Sequence, residues 1–298
     1  MATELRLAMG SCTKLHPRKG HDACLRDAVG CVDAIGVADG VSMSALDGHP
    51  EIVARELMQG SFRAIREAWD TDHRVITPTE ALQSAFDTLV QDQVRGSSTA
   101  TLAIFADGTL RTVNVGDSGF MVIFDHGEAS VRSKRQQTVA YEDGCGWRKR
   151  HLLPRVRIAV PHQLNPVAFL EHRRQRLHPR DTPRVDPSLR IYDGCGNRLR
   201  DDEVGEIGIN EPSDGDTMEL KLNEYDVVVA GTDGLWDYVT DNAVENVCRA
   251  HHDDDPERLA ERLAGMSLDA QMGIREGPID DITVVVARVT RVDVASGG

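Results

Sequence analysis

The stretch Ala34-Ile35-Gly36-Val37-Ala38-Asp39-Gly40-Val41 is a short apolar run that stops at an acid–glycine pair, and Asp226-Val227-Val228-Val229-Ala230-Gly231-Thr232-Asp233-Gly234 repeats the arrangement. Such runs predict buried strands that end in a tight turn, with a carboxylate held at the sheet edge. After Asp39, Gly40 leaves its backbone open to a close neighbour. The pair alone says little: the chain has seven Asp-Gly pairs, at Asp39, Asp47, Asp107, Asp143, Asp193, Asp214 and Asp233. Most are expected to be ordinary turns. Two further acids sharpen the pattern. Asp117 sits between Gly116 and Ser118 after the apolar Leu110–Val115 stretch, and Asp280-Asp281 opens the β-branched run Ile282–Val286.

The rest of the chain supports a helix-flanked β core. A helix is expected from Pro50, with Ile52, Val53, Leu57, Ile65 and Trp69 near helical spacing. A second opens at Thr77-Pro78-Thr79-Glu80, a capping box with proline in the first helical position. Ser98–Phe105, Leu110–Val115 and Phe120–Phe124 read as a β-meander. Helices are expected again from about Thr240 to Ala250 and from Pro256 onward, before a last strand over Asp280–Ala287. Residues before His21 read as a tail. Between about 138 and 215 periodicity fades, and the stretch is too long for a bare loop, so an insertion with structure of its own is expected. It holds an imperfect repeat, Asp143-Gly144-Cys145-Gly146 against Asp193-Gly194-Cys195-Gly196, which reads as two similar hairpin turns. A Cys145–Cys195 contact or a Cys/His zinc site with His151 or His162 is the alternative, without the usual ligand spacing.

Composition narrows the function. With 298 residues and 40% hydrophobic content, a sizeable core is within reach. No run approaches the length that spans a membrane, and the first twenty residues lack a secretory apolar core. The six cysteines show no C-x-x-C spacing, so reduced thiols are expected. A net charge of −14 argues against a nucleic-acid binder. That charge is uneven: residues 132–200 hold 16 Lys/Arg and 6 Asp/Glu, leaving 18 against 42 elsewhere. An acidic body carries one basic segment.

If the strand ends at Asp39, Asp117, Asp233 and Asp280 converge, several carboxylates share one cleft. They must then protonate or bind cations. Oxygen donors without cysteine favour Mg²⁺ or Mn²⁺ over zinc. A carboxylate bridging two such ions would acidify a water and aim it at an electrophile, the usual device for hydrolysing phosphate esters.

Five ordered motifs carry a resemblance: Val37-Ala38-Asp39-Gly40-Val41, Gly96-Ser97-Ser98-Thr99-Ala100, Asn114-Val115-Gly116-Asp117-Ser118-Gly119-Phe120, Thr232-Asp233-Gly234-Leu235-Trp236-Asp237 and Asp280-Asp281-Ile282-Thr283. Together they resemble the metal-dependent protein phosphatases (PPM family, type 2C Ser/Thr phosphatases), nearest to the compact subgroup that includes mitochondrial matrix phosphatases. The match covers roughly residues 18–131 and 216–290 of one phosphatase domain spanning 1–298. The resemblance implies an α+β fold, a central antiparallel β-sandwich flanked by helices in α/β/β/α layers, with a two-metal cleft at one edge. It implies that Asp39 bridges both metals, that the Gly40 carbonyl binds one, and that Asp233 and Asp280 complete the first metal's shell, these three aspartates being the catalytic set. Asp117 and Asp237 match positions lining a weaker third metal site, and Thr99 and Ser118 would bond turn backbone nearby.

Two departures stand out. The family's acidic pair before the first strand is here His21-Asp22; Asp22 matches the second acid, while His21 takes a carboxylate position. Imidazole suits Mn²⁺ better than Mg²⁺, so manganese preference is expected if His21 ligates; an ordinary packed or surface histidine is the alternative. Ser42-Met43 stands where close relatives have two glycines. Asp47-Gly48-His49 reads as a loop rather than a metal motif, and the leaving-group acid is unassigned. Lys19, or Arg18, is the phosphate-binding candidate by position, against a solvated lysine. The expected substrate is a phosphorylated protein, docked by the arginines of the insertion or, alternatively, with those arginines pairing to the acidic body. A cytoplasmic monomer is expected, with the mitochondrion as the other location. A weakly active pseudophosphatase that binds phosphoproteins is the competing function, favoured by His21 and Ser42-Met43.

Overall fold

The structure is a computed structural model that describes residues 2–15, 20–41, 49–94, 96–127, 129–134, 137–142, 152–154, 156–160, 190–192, 208–273 and 279–294. In chain order the elements are β1 (Ala2–Lys14), β2 (Ala23–Val29), β3 (Val32–Ala38), α1 (Pro50–Asp72), α2 (Pro78–Gln91), β4 (Gly96–Ser98), β5 (Ala100–Ala106), β6 (Thr109–Val115), β7 (Gly119–Ile123) and β8 (Val131–Arg132). Then follow β9 (Gln137–Glu142), β10 (Leu152–Pro154), β11 (Val156–Val160), β12 (Arg190–Tyr192), β13 (Gly208–Asn210), β14 (Asp216–Lys221), β15 (Val227–Gly231), α3 (Asp233–Trp236), α4 (Asp241–Ala250), α5 (Pro256–Gly273) and β16 (Ile282–Val294).

Two five-stranded antiparallel sheets, ordered β1-β16-β15-β7-β8 and β14-β6-β5-β3-β2, face each other. Alternation along the strands explains the sandwich. On β3, Ile35 and Val37 point into the space between the sheets, and Ala34 and Ala38 point to the helices α1 and α2. On β15, Val228 and Ala230 face inward, and Val227 and Val229 face the α4–α5 layer. Both faces of these strands are buried, so they read as continuous apolar runs instead of clean alternation. The central layer holds Phe105, Leu110, Phe120 and Val285, all nearly inaccessible to solvent. Each such side chain contributes about 1.5–3 kcal/mol by leaving water. The expected α/β/β/α architecture is thus the observed one.

Both expected helices form as read: Pro50 occupies the first turn of α1, and Thr77 accepts from the Glu80 amide while Glu80 accepts from the Thr77 amide. Three expectations need correction. Residues 2–14 are not a tail but a strand, paired over thirteen positions with a last strand that runs to Val294 instead of stopping near Ala287. The β1 strand is also clipped to the opposite sheet. Arg6 meets Asp33 with Nη2–Oδ1 at 2.6 Å and Nε–Oδ2 at 3.0 Å, and the Leu7 amide donates to Asp33 at 2.7 Å. Finally, the strand expected over Ser98–Phe105 breaks at Thr99, because that residue's amide and hydroxyl are drawn to Asp39.

Within the expected insertion, β9 pairs with β10 and β12, and β11 pairs with β13 and with β4 of the core. This stretch therefore does carry structure of its own and is hydrogen-bonded to the core through Gly96–Ser98. The Cys145 and Cys195 repeat lies outside the described residues.

Candidate metal centre

Strand register gathers the predicted acids at one edge of the sandwich. Ala23 pairs with Ala38, so Asp22 and Asp39 leave adjacent strands side by side. Gly231 pairs with both Gly119 and Val284, which sets Asp233, Asp117 and Asp280-Asp281 around the neighbouring strand ends.

Local bonding holds each segment. The Asp39 amide donates to Thr99 Oγ1 at 3.3 Å, and its carbonyl accepts from the Thr99 amide at 2.9 Å and from Ser98 Oγ at 2.8 Å. Thr99 and Ser118 share a hydroxyl–hydroxyl bond of 2.6 Å, so Thr99 bonds turn backbone directly and Ser118 meets it through the Thr99 hydroxyl. Asp22 Oδ2 accepts from Thr232 Oγ1 at 2.8 Å, and Thr232 Oγ1 accepts from the Thr283 amide at 3.1 Å. The His21 amide donates to Asp281 Oδ2 at 2.8 Å, and the His21 carbonyl accepts from the Gly40 amide at 3.3 Å. The Asp237 amide donates to the Asp233 carbonyl at 2.8 Å. Two glycines allow this crowding. A Cβ on Gly234 would lie 1.8 Å from the Asp281 carbonyl oxygen, and one on Gly40 would lie 2.7 Å from the Pro50 backbone.

The electrostatics follow from the gathering. Burial, then the charges of Asp22, Asp117 and Asp280, push the Asp39 carboxyl well above its ordinary range. Burial, then Asp39, Asp117, Asp280 and Asp237, does the same to Asp233. Asp22 is raised by burial, then by Asp233 and Asp281, with hydrogen bonds from Thr232 and Thr283 opposing. The Tyr238 phenol is raised by burial and by Asp280, Asp237 and Asp233, which places it beside the same cluster. Like charges so close need protons or cations.

The donors fit divalent cations. They are carboxylate oxygens, as hard ions require, and Asp22 Oδ1 is buried without a hydrogen-bond partner, an atom a cation would satisfy. Among the described residues no three His, Cys, Asp or Glu side chains form a ready-made ligand group. The carboxylates are near enough to act on one another electrostatically, and hard ions that keep much of their own water do not require every ligand to be supplied by the protein.

Sequence reasoning did not single out Thr232, Thr283, Ser98, Tyr238 or Gln271. The threonines and Ser98 lie inside the quoted motifs and could have been read as polar groups beside a buried acid; Gln271 lies in a helix and gave no local signal. Lys19, Arg18, Ser42-Met43 and Asp47-Gly48 lie outside the described residues. His49 is described: it is exposed, and its Nδ1 lies 3.2 Å from Glu51.

No family model matches the chain. It is 28% identical over 312 residues to probable protein phosphatase 2C 55 of Arabidopsis thaliana, covering 96% of this chain and 52% of that protein. It is likewise 28% identical over 313 residues to probable protein phosphatase 2C 80 of the same plant, covering 96% of this chain and 59% of that protein. The chain thus spans between half and three-fifths of the length of these relatives. The protein phosphatase PTC7 homolog of Xenopus laevis is 36% identical over 125 residues, 40% of each chain. Among solved structures, the photosystem II phosphatase PBCP superposes with a TM-score of 0.63 at 21% identity, covering 96% of this chain and 99% of that one. The catalytic domain of the serine threonine protein phosphatase PstP, in complex with two manganese ions, gives a TM-score of 0.55 at 17% identity, covering 97% and 100%. These likenesses establish the fold. Along nearly its whole length the chain is similar in sequence to proteins named protein phosphatase 2C, and its fold is that of the solved phosphatase domains.

Proposed function

We propose that this chain is a metal-dependent protein serine/threonine phosphatase. The observation that carries the reading is the convergence of Asp22, Asp39, Asp117, Asp233 and Asp280 at one sandwich edge, where burial and mutual repulsion raise the carboxyl pKa values. Asp39, Asp233 and Asp280 would hold one divalent cation, and Asp39, Asp22 and His21 the second, with the Gly40 carbonyl on one of the two. Asp117 and Asp237 would serve a weaker third. When bound, the cations neutralise phosphate charge and lower the pKa of water for attack on phosphorus. The protein's own part is to hold the carboxylates in register. Thr99 and Ser98 fix Asp39, and Thr232 orients Asp22.

Manganese is the preferred ion in this reading, through His21, and Lys19 is the residue assigned to phosphate binding by its position in the sequence. The chain works as one phosphatase domain and as a monomer. Its arginine-rich segment docks an acidic or phosphorylated protein surface. None of its described helices is long and apolar enough to cross a membrane, and the cytoplasm is the proposed location, with the mitochondrion as the second.

The test is hydrolysis of an aryl phosphate and of a phosphothreonine peptide with Mn²⁺, with and without chelator. Turnover that chelator abolishes and that falls at least 100-fold in Asp233→Asn supports the reading. Mn²⁺-independent turnover, or none on either substrate, contradicts it.

A further inference from the structure

Gln271 lies near the end of α5, 6% exposed and outside the five sequence motifs. Its Oε1 accepts from the Asp280 amide at 2.7 Å, and its Nε2 donates to the Gly234 carbonyl at 3.2 Å. Only one orientation of the amide meets both partners, since one needs an acceptor and the other a donor. The Ser267 hydroxyl, one turn earlier, also donates to the Gly234 carbonyl. The Gly234 backbone is meanwhile pressed against the Asp281 carbonyl, with no room for a methyl group between them. One side chain therefore spans the two peptide segments that carry Asp233 and Asp280, at the point where those segments touch.

We propose that Gln271 is a positioning residue for the cation site: by clasping the Asp280 amide to the Gly234 carbonyl it sets the spacing of the Asp233 and Asp280 carboxylates, and so the affinity for the ion they share. The inference rests on the reading that these two aspartates hold a divalent cation. Two carboxylates carried on touching segments repel each other, and the Gln271 hydrogen bonds to the Asp280 amide and the Gly234 carbonyl hold those segments against that repulsion. Without those bonds, fixing the segments at that spacing falls to the ion and weakens its binding. Residues that hold metal ligands in place typically change affinity 10- to 100-fold when removed.

The experiment measures Mn²⁺ binding to the full chain by titration calorimetry, with thermal melting in chelator as the check on folding. Gln271→Met keeps length and removes both hydrogen bonds. The expected result is a cooperative melt in chelator with Mn²⁺ affinity at least about tenfold weaker. Ser267→Ala leaves the Gln271 clasp in place and is expected to stay within threefold of the parent. A folded Gln271→Met with affinity within threefold of the parent overturns the proposal, since a merely structural glutamine would lower the melting temperature and leave affinity alone. If Gln271→Met does not fold, Gln271→Asn decides by the same criteria, because its stem is too short to meet both partners. A parent chain that binds no Mn²⁺ overturns the metal reading and this inference with it.

Discussion

Asp39 and Asp233 are held in a setting that favours their protonated forms, and this has a measurable consequence. A carboxyl whose folded pKa lies above its unfolded value binds more protons folded than unfolded between those two values. Stability of the metal-free protein should therefore fall as pH rises from about 4 upward. Melting in chelator should show a higher transition at pH 5 than at pH 8, and saturating Mn²⁺ should reverse that order; a flat or opposite metal-free profile would contradict the assigned shifts. By the same logic Asp233→Asn should raise the metal-free melting temperature, since it removes a repelling charge, while removing most Mn²⁺ affinity. Gly234→Ala tests a close approach instead of a charge. Its methyl would meet the Asp281 carbonyl oxygen at 1.8 Å, so the backbone must shift and Mn²⁺ affinity should drop by at least tenfold, read by calorimetry. The acids themselves were legible in the sequence because each borders an apolar run, Asp39, Asp117 and Asp233 beside a glycine or close to one and Asp280 beside a second acid. Thr232 and Gln271 were not read, because their roles depend on which segments the sheet register brings together.

At the scale of elements, the two sheets are joined by a clip as well as by the apolar layer. Asp33, 1% exposed, receives the Arg6 guanidinium through two hydrogen bonds and the Leu7 amide through a third. Asp33→Ala leaves a half-buried cation and a buried amide without their acceptor, so it should cost about 3–5 kcal/mol, measured by urea unfolding. A loss under 1 kcal/mol would mean that the clip is replaceable by water. The capping box at Thr77 is exposed and modest: Thr77→Ala should cost about 1 kcal/mol. Helices α1 and α2 could be read from spacing and caps, and β3, β5 and β15 from continuous apolar runs. The β1 strand could not. Leu5 and Leu7 alternate with Glu4 and Arg6 there, but Ala8, Met9 and Gly10 break the pattern, and only pairing with a distant strand gives the short alternation a sheet to join.

For the whole molecule, charge separation and cleft position act together. The acidic body carries its carboxylate cluster at one sandwich edge, and the basic stretch over residues 132–200 comes after β7, which starts beside Asp117, and before β15, which leads to Asp233. Reversing Arg148-Lys149-Arg150 to glutamates should raise KM for an acidic phosphopeptide several-fold, and the effect should shrink in high salt, while aryl phosphate turnover stays unchanged. Equal loss on both substrates would place the segment in the chemistry and not in docking. The fold class was legible because five motifs fall in order on the chain. The attachment of the basic stretch to Gly96–Ser98 was not, since short polar strands carry little periodic signal. The proposed chemistry requires cations at the carboxylate cluster. Crystals grown with Mn²⁺ and measured at the manganese absorption edge test it most directly. Two anomalous peaks are expected, with Asp39 between them and with Asp233 and Asp280 on one; no peak at that edge of the sandwich, or manganese bound elsewhere, would contradict the proposed metal centre.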